Sequence, residues 1–209
     1  MMSSKFYKSI EFFLIFIVTP VSFTLNYPIW IKLCIGLLGF GYVIYVLLKV
    51  EHNKFKIATN LDWKQFFKHT ILKLLVIMVV TTLYMWLMDS DNLFIVFLNK
   101  PLMWLVLLFI YSLLSVYPQE LIYRTFFFQR YQKLVSNDKL FIFINAILFS
   151  LGHLFFRNAL VVVLTFIGGL LFAATFNKTR STLLVSIEHA IYGCWLFTVG
   201  MGSMLGFPN

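Results

Sequence analysis

Residues 101–130 read PLMWLVLLFIYSLLSVYPQELIYRTFFFQR, and this stretch decides how the chain folds. Its first part is an apolar run about as long as a helix needs to cross a bilayer. Its second part places Gln119, Glu120 and Arg124 directly behind a proline. Because ionisable groups are costly inside lipid, they usually face the interior of a helix bundle, where they pair or serve function. The stretch therefore predicts a membrane helix that carries a buried polar site near its end.

The composition of the whole chain is that of a membrane protein. Of its 209 residues, 61% are hydrophobic and only 12% are charged, whereas a soluble domain has about a quarter charged residues. The apolar residues come in long blocks, and several blocks are long enough to span a bilayer. We therefore predict an all-α, polytopic transmembrane bundle of about seven helices.

The predicted helices follow these apolar blocks. They cover about 9–26, 28–48, 70–88, a segment that begins at Pro101, 140–156, 158–176 and 181–204. The lysine-rich stretch from about 49 to 69 predicts an amphipathic helix on the membrane surface. We divide the chain into N-terminal membrane helices with a basic cytoplasmic loop, 1–100, and a catalytic core, 101–209.

The positions of the lysines and arginines indicate the orientation of the chain in the membrane and argue against a nucleic-acid partner. The net charge of +9 does not indicate nucleic-acid binding, because no basic face is interleaved with aromatic residues. Most lysines and arginines lie instead in the N-terminus, 49–73, 124–139 and 178–180. Cytoplasmic loops are enriched in these residues, so we expect a multi-pass protein of a bacterial inner membrane with a cytoplasmic N-terminus.

Three further groups of residues are predicted to have no part in catalysis. Glu11 is near a helix end and is expected to reach water. The aromatic run 125–128 is expected to face lipid. The glycine pair 168–169 predicts a close helix contact, since small residues let two membrane helices approach.

The candidate site begins with two charged residues on one helix. Glu120 and Arg124 are four positions apart, so they share a helix face and can pair. Pairing reduces the cost of burying either charge. Gln119 lies about 100° round the helix from Glu120, close enough to share the same cavity.

Two later helices carry histidines on similar stripes. At a spacing of four, Asn145, Phe149 and His153 fall on one face of a helix. On the last helix, His189 shares a stripe with Ser186 and Gly193, with Tyr192 beside it. Glu188, next to His189, points to a different face. From the spans, we expect Glu120, His153 and His189 to meet near the middle of the membrane.

A carboxylate and two imidazoles in a dry cavity suit two kinds of chemistry. They can act as general acid and base on a water molecule. They can equally bind a divalent metal such as zinc, which accepts histidine and glutamate ligands. The spacing leaves both alternatives open.

The three motifs in order resemble those of a known family. QELIYR (119–124) resembles the EExxxR motif of the CAAX prenyl endopeptidase and bacteriocin-processing (CPBP) intramembrane proteases. FSLGH (149–153) is similar to the family's FxxxH, and HAIYG (189–193) resembles its HxxxN/D. The resemblance covers about residues 101–205 and implies a CAAX-protease-like fold.

The resemblance also implies an activity and roles for the motif residues. It implies hydrolysis of a peptide bond near the cytoplasmic side, with Glu120, His153 and His189 activating water and Arg124 orienting the acidic motif. The first glutamate of the family's pair is Gln119 here, and a glutamine amide cannot take a proton from water. The last motif's polar residue, which helps to hold the oxyanion, is Gly193 here.

Two functions follow as hypotheses. The first is an intramembrane endopeptidase that cleaves a membrane-associated, prenylated or otherwise lipid-modified peptide. The alternative is a catalytically impaired relative that binds such peptides as an immunity or scaffold protein. A small transporter is a weaker third reading, because transporters often contain inverted repeats and none is visible here.

Overall fold

The computed structural model describes residues 2, 4–55 and 61–206, and these residues form helices without any strand. The all-α prediction is therefore confirmed. We number the eight longer helices of the described residues α1 to α8. They are α1 (5–22), α2 (Ile29–Lys49), α3 (Trp63–Met88), α4 (Ile95–Asn99), α5 (Pro101–Leu134), α6 (Asp138–Phe156), α7 (Ala159–Thr179) and α8 (Thr182–Val199).

Among the described residues, six helices are long and apolar enough to cross a membrane, and these are α2, α3, α5, α6, α7 and α8. The polytopic architecture is thus confirmed. Helix α1 is not among the six, although its apolar run predicted a first span. Lys5, Lys8 and Glu11 all lie within its first seven residues, so its apolar part is short. Helix α4 has only five residues and is too short to span.

Polar residues cap the starts of several helices. Among the described residues, side chains at five N-caps accept a hydrogen bond from a backbone N–H in the first turn, which satisfies one of the donors that the helix leaves open. These caps are Ser4 on α1, Asp62 on α3, Asn137 on α6, Asn158 on α7 and Ser181 on α8. At the other end of α8, Gly200 has a φ of +105°, a conformation that favours glycine.

The prediction of a surface helix over about 49–69 is wrong for the residues that the structure describes. Residues 63–69 form the first turns of α3, and 52–55 lie outside any helix. Residues 56–60 lie outside the described part of the chain. The helix continues because Asp62 provides a cap and no breaker separates the polar turns from the apolar run that follows.

The chain divides into two compact units. Unit 1 comprises Met1–Ile57 and Gln119–Arg180, and unit 2 comprises Ala58–Pro118 and Ser181–Asn209. Unit 1 thus contains α1, α2, the second part of α5, α6 and α7. Unit 2 contains α3, α4, the first part of α5 and α8.

The aromatic run 125–128 lies in the core of unit 1, so the prediction that it faces lipid is wrong. All four side chains are buried. The ring of Phe127 stacks on Phe141 with a centroid distance of 4.7 Å, and the ring of Phe128 packs edge-on against Phe176 at 5.0 Å. Lipid and protein interior are equally apolar, so composition alone does not distinguish the two environments.

Glu11 is also buried, which contradicts the expectation that it reaches water. Arg130 binds both of its carboxylate oxygens, through Nε to Oε1 at 2.8 Å and Nη2 to Oε2 at 3.0 Å. The hydroxyls of Tyr131 and Tyr42 donate to the same carboxylate, each at 2.6 Å. We call Glu11, Arg130, Tyr131 and Tyr42 the Glu11 cluster. It joins α1 and α2 to the end of α5, and a bidentate pair with further donors is the arrangement that a buried carboxylate requires.

The glycine pair behaves as predicted at one of its two positions. A Cβ added at Gly169 would lie 2.9 Å from the Cα of Ala146, so α7 and α6 approach closely there. At Gly168 an added Cβ would meet only Phe172 of the same helix. Gly169 is therefore the contact residue between these two helices.

Candidate active site

Helix α5 is irregular around its proline. Pro118 lies inside the helix, and widened π-helical turns occur on both sides, at Tyr111–Val116 and Leu121–Phe126. A proline has no N–H to donate to the preceding turn, and π-helical turns within α-helices are frequent at functional sites. The motif 119–124 therefore lies at a break in regular helical hydrogen bonding.

Glu120 and Arg124 form the ion pair that their spacing predicts. Nε of Arg124 lies 3.3 Å from Oε2 of Glu120, and both side chains are completely buried. Because the two charges are opposite and adjacent, each limits the cost of burying the other. It is a buried ion pair of unit 1, as is the Glu11–Arg130 pair.

Arg124 is held by contacts to α6 and α7. Its Nη1 donates a hydrogen bond to Oδ1 of Asn145 at 2.6 Å. Its guanidinium lies over the ring of Phe149, 4.7 Å from the centroid, and 5.9 Å from that of Phe172. The amide of Asn145 donates in turn to the backbone carbonyl of Tyr123 at 2.7 Å. The arginine that orients Glu120 is thus itself fixed in position.

His153 lies just after the regular part of α6, which ends at Leu151. Its Nδ1 lies 2.8 Å from the carbonyl oxygen of Phe149. Since a carbonyl only accepts, Nδ1 carries the proton, and in neutral imidazole Nε2 then carries the lone pair. The His153 ring also packs against the ring of Phe149, with centroids 4.8 Å apart. Phe149 therefore contacts both His153 and Arg124.

The residue before His153 must be small. A Cβ added at Gly152 would overlap the hydroxyl of Tyr123. The phenol of Tyr123 therefore occupies the space beside the helix end and helps to determine where the following histidine lies.

In unit 2, His189 lies on α8 and is 6% exposed. The ring of Tyr111, from the first part of α5, packs edge-on against it with a centroid distance of 6.1 Å. Gly193 follows one helical turn later and is buried as well. Tyr111 was not predicted as a site residue. The one feature of the sequence that could have indicated this residue is the presence of a tyrosine, with its polar hydroxyl, within an apolar span.

Glu188, the neighbour of His189, points to other partners, as its place on the helix predicts. Nζ of Lys73 lies 2.6 Å from its Oε1, and the hydroxyl of Tyr192 donates to the same oxygen at 2.9 Å. Lys73 lies on α3, although the sequence assigned it to the cytoplasmic flank. Glu188 is thus held by a lysine of α3 and a tyrosine of its own helix.

The predicted site residues are distributed over both units. Gln119, Glu120, Arg124 and His153 belong to unit 1, and His189 belongs to unit 2. Within unit 1, the ion pair and the histidine are linked through Phe149. The meeting of Glu120, His153 and His189 stays a prediction.

The described residues do not fit a metal site within either unit. In neither unit do they bring together three His, Cys, Asp or Glu side chains that could hold a metal ion. The carboxylate of Glu120 is paired with Arg124, whose positive charge disfavours a cation at the same oxygen. We therefore derive no catalytic step through a metal.

Six apolar helices among the described residues are long enough to span a bilayer, and they define a multi-pass helical membrane protein that buries an acid–arginine pair. Residues 101–195 match the family model of type II CAAX prenyl endopeptidases, described as Rce1-like. The match includes all three motifs and confirms the resemblance to the CPBP proteases. No curated protein and no solved structure matches the chain. The matched family is a protease family, so the match supports a hydrolase of peptide bonds in a membrane.

Proposed function

We propose that the protein is an intramembrane endopeptidase that cleaves a membrane-associated or lipid-modified peptide with a water molecule activated by Glu120. The observation that carries the proposal is the Glu120–Arg124 pair, which is fully buried and held by α6 and α7. Ionisable residues within membrane helices are costly and rare, and they often mark functional sites. The match of 101–195 to a peptidase family supports the same activity.

The reaction can be written for the residues of this chain. Glu120 accepts a proton from water, and the water oxygen attacks the carbonyl carbon of the scissile peptide bond. The carbonyl electrons move to oxygen, giving a tetrahedral oxyanion. When this intermediate collapses, the C–N bond breaks and the amine leaves with the proton that Glu120 returns. The products are a carboxylic acid and an amine, so one water is consumed for each bond.

The other motif residues assist this step. Arg124 orients the Glu120 carboxylate before water binds, because its Nε lies 3.3 Å from Oε2. His153 and His189 hydrogen-bond to water or to the developing oxyanion. The Nδ1 contact of His153 with a backbone carbonyl makes Nε2 the acceptor nitrogen of the neutral ring. Gln119 contributes an amide that can donate but cannot act as a base.

The alternative is a non-catalytic relative that binds the same class of peptide. The observation that favours it is Gln119, which replaces one carboxylate of the motif and leaves Glu120 as the single acid, already paired with Arg124. A cleavage assay distinguishes the two functions, because a protein that only binds the peptide leaves it intact.

The test is cleavage of fluorogenic reporter peptides, with and without a prenyl group, by purified protein in proteoliposomes. Glu120→Gln and His153→Ala are each expected to abolish cleavage while the protein stays folded. Asp91→Asn and His69→Ala are the matched controls, because both residues are exposed, and they should retain wild-type turnover. Cleavage that persists in Glu120→Gln would overturn the proposed mechanism. Binding without cleavage in the wild type would favour the alternative.

A further inference from the structure

Tyr123 adjoins both parts of the candidate site in unit 1. In the chain it directly precedes Arg124, which pairs with Glu120. At the interface of α5 with α6, its hydroxyl lies beside Gly152, the residue that precedes His153. One residue therefore connects the position of the ion pair on α5 with the position of the histidine at the end of α6.

The side chain and the backbone of Tyr123 are both held in place. Its ring packs edge-on against Phe149 of α6, with a centroid distance of 5.2 Å, and against Phe16 of α1 at 5.6 Å. Phe16 and Phe149 are themselves buried. The backbone carbonyl of Tyr123 accepts a hydrogen bond from the amide of Asn145 at 2.7 Å. The phenol cannot move without disturbing contacts to two other helices.

Gly152 is needed for space and not for its backbone conformation. Its φ of −60° and ψ of −16° lie in the right-handed helical region, which other residues adopt readily. A Cβ added at this position would overlap Oη of Tyr123 and would lie 3.0 Å from Cζ. Because the ring of Tyr123 is held by Phe16 and Phe149, the hydroxyl cannot simply turn away. A side chain at position 152 would therefore displace the phenol or the backbone that carries His153.

We infer that Tyr123 is a positioning residue of the proposed peptidase, whose phenol determines where His153 lies relative to the Glu120–Arg124 pair. The inference rests on the proposed function, in which His153 hydrogen-bonds to the water or to the oxyanion. Tyr123 acts through the histidine and makes or breaks no bond itself. Because the reacting groups must be held in a productive geometry, a displacement of about 1 Å can lower the rate up to about 100-fold.

The first variant adds the missing Cβ. Gly152→Ala is expected to lower kcat by up to about 100-fold with little change in KM, because the methyl group displaces His153 or the phenol. The matched control is Gly41→Ala, since an added Cβ there meets nothing within 4 Å, and it should keep the wild-type kcat. A wild-type kcat in Gly152→Ala, while His153→Ala is inactive, would overturn the inference and leave the peptidase function intact.

The second variant relieves the overlap from the other side. Tyr123→Phe deletes only Oη, so a methyl group at position 152 would then meet Cζ at 3.0 Å. We expect the double variant Tyr123→Phe, Gly152→Ala to recover part of the kcat that Gly152→Ala loses. Tyr123→Phe alone keeps the ring and should be slowed less than Gly152→Ala. An inactive Tyr123→Phe, with no recovery in the double variant, would assign the hydroxyl to the chemistry itself and contradict a positioning role.

A third measurement does not require turnover. The protein has four histidines, and His153→Ala identifies the ring signal of His153 in NMR spectra of isotope-labelled protein in detergent. This signal should shift in Gly152→Ala, return toward its wild-type position in the double variant and stay in place in Gly41→Ala. If Gly152→Ala does not fold, Tyr123→Ala replaces it, because vacating the same space should also shift the signal and lower kcat.

The outcomes separate the role of Tyr123 from the peptidase function. An unchanged His153 signal in a folded Gly152→Ala or Tyr123→Ala protein would refute the positioning role even if the wild type cleaves peptide. If the His153 signal shifts as expected but the wild type cleaves no peptide, the proposed function fails, and the role of Tyr123 in it fails as well.

Discussion

Arg124 and Asn145 are joined by a hydrogen bond of 2.6 Å between Nη1 and Oδ1, and this contact connects α5 to α6. Asn145 is completely buried and also donates to the backbone carbonyl of Tyr123. It therefore fixes the arginine that pairs with Glu120. We regard Asn145 as a positioning residue, since it acts on the carboxylate through Arg124.

Replacing Asn145 should therefore affect both stability and turnover. Asn145→Ala removes a hydrogen bond to a charged group, which should lower the free energy of unfolding by about 1.5–3 kcal/mol. The loosened Arg124 should misplace Glu120, and misplacement by about 1 Å can cost up to about 100-fold in kcat. Denaturant unfolding in detergent and peptide cleavage measure the two effects.

A structural role and a positioning role predict different results for Asn145→Asp. The aspartate keeps the size of the side chain but adds a second carboxylate that competes with Glu120 for Arg124. We expect a folded protein with a low kcat and an altered pH–rate profile. A folded Asn145→Asp protein with wild-type kcat would limit Asn145 to a structural role.

Contacts of the candidate site could be predicted from the sequence only where the two residues lie close together in the chain. The Glu120–Arg124 pair is predictable because both residues lie on one helix, where spacing determines which side chains meet. The bond from Arg124 to Asn145 and the packing of Tyr123 on Gly152 depend on how separate helices are aligned. No local pattern specifies that alignment, so these contacts became visible only in the structure.

The same reasoning explains which features of the fold were predicted correctly. Apolar runs of about 20 residues predict spanning helices by length alone, and six helices fit that description among the residues described. The lipid-facing interpretation of 125–128 failed because core and lipid select the same residue types. Glu11 was misplaced because its partner, Arg130, is 119 positions away in the chain.

The Glu11 cluster should contribute strongly to stability. Arg130→Gln leaves the buried carboxylate of Glu11 without its bidentate partner, and breaking a buried ion pair in this way costs about 3–5 kcal/mol. The measurement is the unfolding free energy in detergent. Lys64→Gln is the control, because Lys64 is exposed, and it should be nearly neutral. Equal stability of the two variants would contradict a structural role for the cluster.

The Lys73–Glu188 pair should show coupling between its two members. Lys73→Met leaves Glu188 buried without its counter-charge, so this variant should be the least stable protein of the double-mutant cycle. Adding Glu188→Gln removes the buried charge as well and should restore much of the lost stability. The double-mutant cycle is measured by thermal unfolding, and additive effects would argue against the pair.

The single variant Glu188→Gln also tests whether Glu120 or Glu188 is the general base. Because Lys73 and Tyr192 already bind its carboxylate, we expect this variant to keep cleaving peptide. Complete loss of cleavage in a folded Glu188→Gln protein would transfer the role of base from Glu120 to Glu188.

The approach of α6 and α7 depends on Gly169. Gly169→Ala would bring a Cβ to 2.9 Å from the Cα of Ala146, so the two helices must separate and the protein should lose stability. Overpacking of this kind typically costs about 1–3 kcal/mol. Gly39→Ala is the matched control, since an added Cβ there meets nothing within 4 Å. A loss of stability in Gly39→Ala as well would contradict the packing explanation, because alanine is the better helix former and this variant should not be destabilised.

The last prediction concerns Gln119, the amide that adjoins the proposed base. If Glu120 alone takes the proton from water, Gln119→Glu should leave kcat close to the wild-type value, because the added carboxylate has no proton-transfer role to fill. The double variant Gln119→Glu, Glu120→Gln should then be as inactive as Glu120→Gln, since the base has moved to a position about 100° round the helix. Cleavage rates in proteoliposomes decide between the outcomes. A large gain in Gln119→Glu would mark the natural protein as catalytically impaired and favour the peptide-binding alternative, whereas activity in the double variant would assign the base to position 119.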